Sequence, residues 1–528
     1  MTPGNHWKGW LFTVAIVSAS CGGRTALLGE QQSASAGTGG QPSGGQGGAA
    51  PRGGNAPSAG TFGQAGTFQS AGTFGDAGSA GGGAIGDCPL AVADCATPAE
   101  PACQGVRRTC SGDFQTHTAL DAVGDVVAGV AVSELSVSVD GRVAIAGFFH
   151  GQMDVGGHVL KSPTRPNSPG ASATFVASFN DHGDVEWATA YPGQTNQEVS
   201  GLDFAPNGDV VMQAFTGANN DEPRAATVRF DTTGKLLWNK DWGKLGHVGP
   251  IRVGIDNDGR TWLGGSMAGS LGFPGSDLKT DREQSAFVLS LDPLGNPLKG
   301  FTAMPKGMMG SEATGMAVDD EDSIILVGKA RSEQNESFAF FEKLSSDGTL
   351  IYSKLFAGNL RITGVAVDRL MRPVIAAEFS ERFTNEGTTF PSVGATQVWL
   401  AQYTREGSLA WQRAYEAAVS GIGIGAGIVT ADPFGNIIVS GTGGLAIGGQ
   451  PLSSQHMNDL GNADVTWLMK LRPDASHVWT RQLDGTVNVS GIGTDNSGSI
   501  WLGGQFLHKI WLGDEPVTGT SLLVQMSP

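Results

Sequence analysis

Charge is scarce in this sequence. Charged residues make up 16% of 528, and basic residues are the minority among them, 33 against 50 acidic. Nucleic acids and anionic membrane surfaces are gripped by clustered lysine and arginine, so neither is an expected partner. No stretch approaches the ~20 consecutive apolar residues of a membrane-spanning helix. From about residue 111 onward there is no sustained apolar period of 3.6, the mark of amphipathic helices. There is no H-E-x-x-H and no G-x-S-x-G, which removes two ready-made hydrolase signatures. Glycine, by contrast, is abundant: 81 residues, about twice the ordinary share. The glycines keep no strict three-residue period, so the chain is not collagenous. With 40% hydrophobic residues it is also too apolar to be disordered throughout.

The first residues read as an export signal. Lys8 is the single charge of a short leading region, and Trp10–Val17 is an apolar run too short to span a bilayer. Ser18-Ala19-Ser20 and Cys21 follow. This arrangement resembles the lipobox of bacterial lipoproteins. The resemblance implies cleavage after residue 20, lipid modification of Cys21, and an outer-membrane or cell-surface location. Gly22 gives no reason for inner-membrane retention. Ser18 departs from the branched apolar residue usual at that position. Ser18 and Ser20 also suit an ordinary signal peptidase, which leaves a secreted soluble protein as the alternative.

Residues 22–86 contain 22 of the 81 glycines, with three AGTF units at Ala59–Phe62, Ala65–Phe68 and Ala71–Phe74. Such a segment cannot bury enough apolar surface to offset its ordering entropy. It reads as a disordered tether (residues 21–86 with its anchor) spanning roughly 45 Å root-mean-square. Cys88, Cys95, Cys103 and Cys110 follow in a short segment, 87–110. In an exported chain four such cysteines are disulfide candidates. Three connectivities are open. No C-x-x-C pair and no intervening histidine speak for zinc.

Beyond residue 111 the chain repeats. An apolar strand, a polar turn and a second strand bearing an aromatic recur at Thr174–Trp187, Ala226–Trp238, Ala339–Tyr352, Val398–Trp411 and Thr466–Trp479. In all five the aromatic falls four residues after Gly183, Gly234, Gly348, Gly407 or Ala475. A degraded copy runs Ser285–Phe301, with Lys299 at the aromatic position. Each unit is preceded by another hairpin, with turns such as Asp140-Gly141, Asn207-Gly208 and Asp258-Gly259 that suit positive backbone dihedrals. Each repeat therefore supplies four antiparallel strands. Seven first hairpins but six complete second hairpins are visible. The seventh ends at Ser521–Met526, and Ser111–Leu120 resembles the turn and strand it lacks. A ring closed in this way hides its edges. The expected fold is all-β: a seven-bladed β-propeller over 111–528, closed by its N-terminal strand. Thr116 holds the aromatic position in that strand.

In its order of signal, glycine-rich linker, cysteine segment and propeller, the chain resembles bacterial secreted β-propeller-repeat lipoproteins of myxobacterial type. That resemblance implies a fold and an address rather than an activity. Asp231–Gly243, DTTGKLLWNKDWG, is also similar to the repeat of quinoprotein dehydrogenases and of the propeller lipoprotein of outer-membrane protein assembly, in that one copy only.

Trp187, Trp238, Tyr352, Trp411 and Trp479 are fixed by repeat position, which points to packing between blades. Stacking platforms for carbohydrate or a quinone are the alternative. Asp256 and Asp258, and the run Asp319–Asp322, are acids at equivalent first-hairpin turns, and the first pair are calcium candidates. Calcium takes six to eight oxygens, yet Arg260 and Thr261 follow Asp258, so a plain type I′ or related turn is favoured. Gly421–Gly427, GIGIGAG, matches G-x-G-x-x-A but leads into a hairpin rather than a helix, which excludes a dinucleotide fold. His117, His150, His158 and His247 are scattered. The innermost stretches, among them LSVSVDG, VGIDNDG and GVAVDRL, are small and apolar with one acid near the turn. That pattern is poor in bases and nucleophiles. The expectation is a monomeric, non-catalytic module without cofactor that binds a protein or glycan. The competing class is an extracytoplasmic propeller enzyme, either a quinoprotein-like oxidoreductase or a lyase or hydrolase.

Overall fold

The computed structural model describes residues 112–120 and 129–528, apart from short segments between strands (163–171, 192–196, 217–223, 245–251, 272–277, 281–283, 392–395, 417–423, 445, 448–449, 452–464 and 486). Cys21, Cys88, Cys95, Cys103 and Cys110, together with the expected signal, tether and cysteine segment, lie outside the described residues, as does His247.

Every regular element among the described residues is a β-strand, and the strands form seven four-stranded antiparallel blades. Blade 1 comprises Val130–Val137, Val143–His150, Ser172–Phe179 and Val185–Tyr191, from the innermost strand outward. Blade 2 follows with Gln197–Phe204, Val210–Thr216, Arg224–Phe230 and Leu236–Lys244, and blade 3 with Arg252–Ile255, Thr261–Met267, Ser285–Leu291 and Pro297–Ala303. Blade 4 is Met308–Val318, Ile324–Ser332, Ser337–Leu344 and Leu350–Ala357; blade 5 is Leu360–Val367, Pro373–Phe379, Gln397–Tyr403 and Leu409–Tyr415. Blade 6 is Gly425–Ala431, Ile437–Thr442, Val465–Leu471 and His477–Asp484. Blade 7 combines Val487–Thr494, Ile500–Leu512 and Glu515–Met526 with Phe114–Leu120 from the other end of the chain.

The innermost strands neighbour one another in a complete cycle, with blade 7 against blade 1. Closure is made by Phe114–Leu120, antiparallel to Glu515–Met526, with Leu120 opposite Ser521 and Phe114 opposite Met526. Asp113 exchanges two bonds with Ser527: its N–H donates to the hydroxyl (2.8 Å), and its carbonyl accepts from the Ser527 N–H (2.9 Å). Leu120 is buried in the cluster formed by blade 1. The ring thus closes with the N-terminal strand at the outside of the last blade, as its sequence implies.

The thirteen hairpin turns within blades share one geometry. In blade 2, for example, the Gly234 N–H donates to the Asp231 carbonyl, and the Asp231 N–H to the Lys235 carbonyl. Each turn has one residue of positive φ rather than the two a type I′ turn requires, so the chain uses a type I turn followed by a left-handed residue. Glycine fills that place in most turns, while Asp322, Met371 and Ala475 fill it in three. True consecutive positive φ values occur instead at Gly156-Gly157 and Glu386-Gly387, in small extra hairpins.

These tight turns all connect first to second or third to fourth strands, so alternation of direction puts them on one face of the ring. The opposite face receives the second-to-third connections and the blade-to-blade connections. Among the described residues it also carries every extra hairpin. Extra hairpins stand there at Gln152–Lys161 in blade 1, Ser270–Lys279 in blade 3, Phe383–Phe390 in blade 5 and Ala446–Pro451 in blade 6. Blade 7 prolongs its own second and third strands to Leu512 and Glu515 on the same side.

Candidate functional site

Most repeated aromatics have one neighbour in common. Trp187 of blade 1 lies on Gly234 of blade 2, Trp238 on Gly295, Tyr352 on Gly407 and Trp479 on Gly112 in the closing turn. A Cβ added at these glycines would lie 2.5–2.8 Å from the ring. Trp238 and Trp411 donate their indole N–H to the carbonyls of Pro293 and Pro473, in the next blade's turn, each at 3.0 Å. In blade 3 the lysine at the aromatic position is replaced functionally by Phe301, which contacts Gly348. Phe301 lies two residues further along the strand, hence on the same face. In the closing strand Thr116 stands near Gly183 of blade 1, without a ring.

The acids of the first-hairpin turns are engaged by the protein. Asp256 Oδ1 accepts the N–H groups of Asp258 and Arg260 (3.1 and 2.8 Å), and Oδ2 accepts the Trp262 indole N–H (2.9 Å). Asp258 instead pairs with Arg260. The same turn cap recurs at Asp319, Asp368, Asp432 and Asp495. In three blades the second carboxylate oxygen meets a cationic or amide side chain from the third strand or the turn. These contacts are Lys343 to Asp319 (2.7 Å), Lys470 to Asp432 (2.8 Å), and Arg372 with Gln402 on Asp368. Blade 2 makes the variant Arg229–Asp209 (2.9 Å). Lys343, Lys470, Gln402 and Arg229 sit one position before the end of the third strand, a recurrence legible in the repeats, while Arg372 reaches Asp368 from the turn.

Among the described residues no three histidine, cysteine or acidic side chains gather as a metal group. His117 lies 3.9 Å from Glu515, and His150 packs its ring edgewise against Phe148. His158 is on the blade 1 extra hairpin.

The central channel is crossed by an ion pair. Glu134, on the innermost strand of blade 1, accepts from Arg252 Nη1 of blade 3 at 3.3 Å. The same Nη1 reaches the Ser200 carbonyl of blade 2 (2.9 Å), and Nε reaches the Thr314 carbonyl of blade 4 (3.3 Å). One guanidinium thereby ties four blades together. Burial pushes the Glu134 carboxyl up to about 8, against the pull of Arg252. Reading the blade 3 stretch as VGIDNDG leaves out Arg252, the residue immediately before it. The signal is positional: blades 2, 4, 5 and 7 carry Gly201, Gly315, Gly364 and Gly491 where blades 1 and 3 carry this pair.

A cavity of about 200 Å³ opens at the mouth of the channel on the elaborated face, between blades 5, 6 and 7. Its cause lies in the repeat. The innermost strands of blades 1, 2, 4, 5 and 7 carry a β-bulge at the same level, with Ser133, Ser200, Thr314, Thr363 and Ser490 as bulged residues. Blade 6 has Gly427 there, followed by the unpaired Ile428. Two residues earlier it has Gly425, where blades 5 and 7 have Arg361 and Asn488. Missing side chains of blade 6 leave the space, and side chains of its neighbours wall it. The first Cβ atom at Gly425 would meet Glu378 Oε1 and Thr442 Oγ1, both at 3.0 Å. One at Gly427 would meet Ser440 Oγ at 2.7 Å. Arg361 donates twice to Glu378 Oε2, at 3.1 and 2.7 Å, so the wall is charged yet internally neutral. Glycine in a strand costs roughly 0.5–1 kcal/mol relative to alanine, and neither position has a positive φ to require it. Such glycines mark a close approach of another group. They belong to the GIGIGAG run, of which the described Gly425 and Gly427 lie on a strand at the cavity floor and start no helix.

No protein-family model matches this chain, and no curated protein does. Solved structures similar to it include a protein of unknown function from Dyadobacter fermentans (10% identity, 79% of this chain and 100% of that one, TM-score 0.38). Another is the β-propeller domain of the Trilobed protease from Pyrococcus furiosus (10%, 74% and 97%, 0.39). A third is a protein of unknown function from Bacteroides caccae (12%, 58% and 89%, 0.33).

Proposed function

We propose that this protein is a non-catalytic lipoprotein of the outer membrane or cell surface, of the propeller-repeat type. Its propeller acts as a binding scaffold for a protein or glycan. The observation that carries the binding reading is the division of labour between the two faces. One face is built of uniform tight turns. The other carries all the extra hairpins and the cavity between blades 5 and 7. Binding residues concentrate on loops held by a rigid scaffold, and small-ligand sites are concave with a few convergent polar groups. The anchor part of the reading rests on the Ser18–Cys21 sequence alone.

The test is a screen of the full-length protein against a glycan array and surface proteins, with a parallel assay for hydrolase, lyase and oxidoreductase turnover. Capture of a glycan or protein without turnover is the expected result. Turnover without saturable capture would replace the scaffold with an enzyme.

A further inference from the structure

We infer that the cavity between blades 5, 6 and 7 binds a single neutral sugar ring. The inference rests on the binding-scaffold reading and names the ligand class for one site on its elaborated face. Its chemistry narrows the ligand in steps. A volume of about 200 Å³ is below the ~300–1,000 Å³ of pockets for drug-sized ligands, so one ring or a molecule of that size fits. The charged groups of the wall, Arg361 and Glu378, are already paired with each other. The pair leaves the wall without net charge, so it gives neither an anion nor a cation a Coulombic advantage over a neutral ligand.

The remaining polar wall is hydroxyl and amide: Thr363, Ser440, Thr442, Thr466 and Asn488. Three of these hydroxyls are oriented by backbone groups. Thr363 donates to the Ala376 carbonyl (3.2 Å), Thr466 donates to the Val487 carbonyl (3.0 Å) and accepts the Val487 N–H (3.2 Å), and Ser440 accepts the Ile428 N–H (3.0 Å), which leaves each oxygen a lone pair for a ligand donor. Their oxygens are therefore held in place before any ligand enters, which reduces the ordering cost of binding. Asn488 stands exposed at the rim with an amide that both donates and accepts. Among the described residues no aromatic side chain lines the cavity and only Ala426, Val487 and Val489 are apolar there, so these walls offer a hydrophobic ligand little surface. A small, uncharged molecule carrying a donor and an acceptor at nearly every carbon matches this wall, and that is a sugar ring. The bare backbone at Gly425 and Gly427 lets the ring approach the strand itself.

The experiment is isothermal titration calorimetry of the full-length protein with a panel of neutral hexoses, pentoses and their methyl glycosides. Glucuronate and glucosamine serve as charged counterparts. Two variants are compared. Gly427→Ser restores the residue type of the neighbouring blades and fills the floor, and Asn488→Ala removes a rim amide without touching the core. Unfolding temperatures of both are measured alongside. The expected result is saturable binding of at least one neutral sugar, weakened about tenfold or more by either variant with the unfolding temperature of Asn488→Ala unchanged. Preference for a charged sugar, or neutral-sugar affinity indifferent to both variants, overturns the assignment. If no panel sugar binds while the glycan or protein screen succeeds, the cavity assignment fails and the scaffold reading stands. If both fail, both are wrong.

Discussion

Gly234→Ala tests the inter-blade contact most directly. Gly234 has φ +78°, and a Cβ there would lie 2.5 Å from Trp187 Cε3 and 2.7 Å from Cδ2. The left-handed conformation costs a non-glycine residue roughly 1–2 kcal/mol. Forcing a methyl against a ring that is 6% exposed adds overpacking of about 1–3 kcal/mol. The expected total is roughly 2–5 kcal/mol, read by equilibrium denaturation. A double-mutant cycle separates the two causes. Trp187→Ala alone removes a buried ring and should cost about 3–5 kcal/mol. In that background Gly234→Ala meets no ring, and only the backbone component, about 1–2 kcal/mol, should remain. Blade 6 supplies a natural control. Ala475 already sits at the equivalent position with φ +66°, so Ala475→Gly should be neutral or stabilising by up to about 1 kcal/mol. If Gly234→Ala costs less than about 1 kcal/mol, or costs the same with and without Trp187, the turn-on-ring account is refuted.

Four further outcomes are expected. Deleting Ser111–Leu120 should lower the unfolding temperature sharply, because the last blade loses its fourth strand and Leu120 leaves the core; unchanged melting sinks the closure. Lys470→Met should cost about 3–5 kcal/mol by stranding the buried Asp432 carboxylate, and adding Asp432→Asn should recover part of it in denaturant titrations. Glu134 takes up a proton more readily folded than unfolded, so its contribution to stability is complete below its ordinary 4.5 and declines as pH rises toward about 8. Melting curves across that range should show the decline in the wild type and a flatter profile in Glu134→Gln. Finally, Cys21→Ser should move the protein from the membrane fraction to the soluble one, and continued membrane retention would count against the lipid anchor.

Much of this protein is legible in its sequence. Four strands per repeat, the turn positions and the closing strand follow from local facts: short apolar strands separated by polar turns, and glycine where a turn needs positive φ. Ring closure follows from counting, since a missing strand at one end was matched by a spare one at the other. Side-chain meetings across the ring were not legible. Glu134 and Arg252 are 118 residues apart, and only the curvature of successive blades brings them together. Phe301 takes over from Lys299 because alternate residues of a strand share a face, a substitution hidden from strict alignment of repeats. The glycines of GIGIGAG are conspicuous in sequence, but a cavity is a property of what surrounds a vacancy. The sequence by itself determined the strands, the turns and the number of blades, because these depend on near neighbours along the chain. The channel ion pair and the cavity were decided only by the tertiary structure, because each is made of residues from several blades whose proximity exists once the ring has closed.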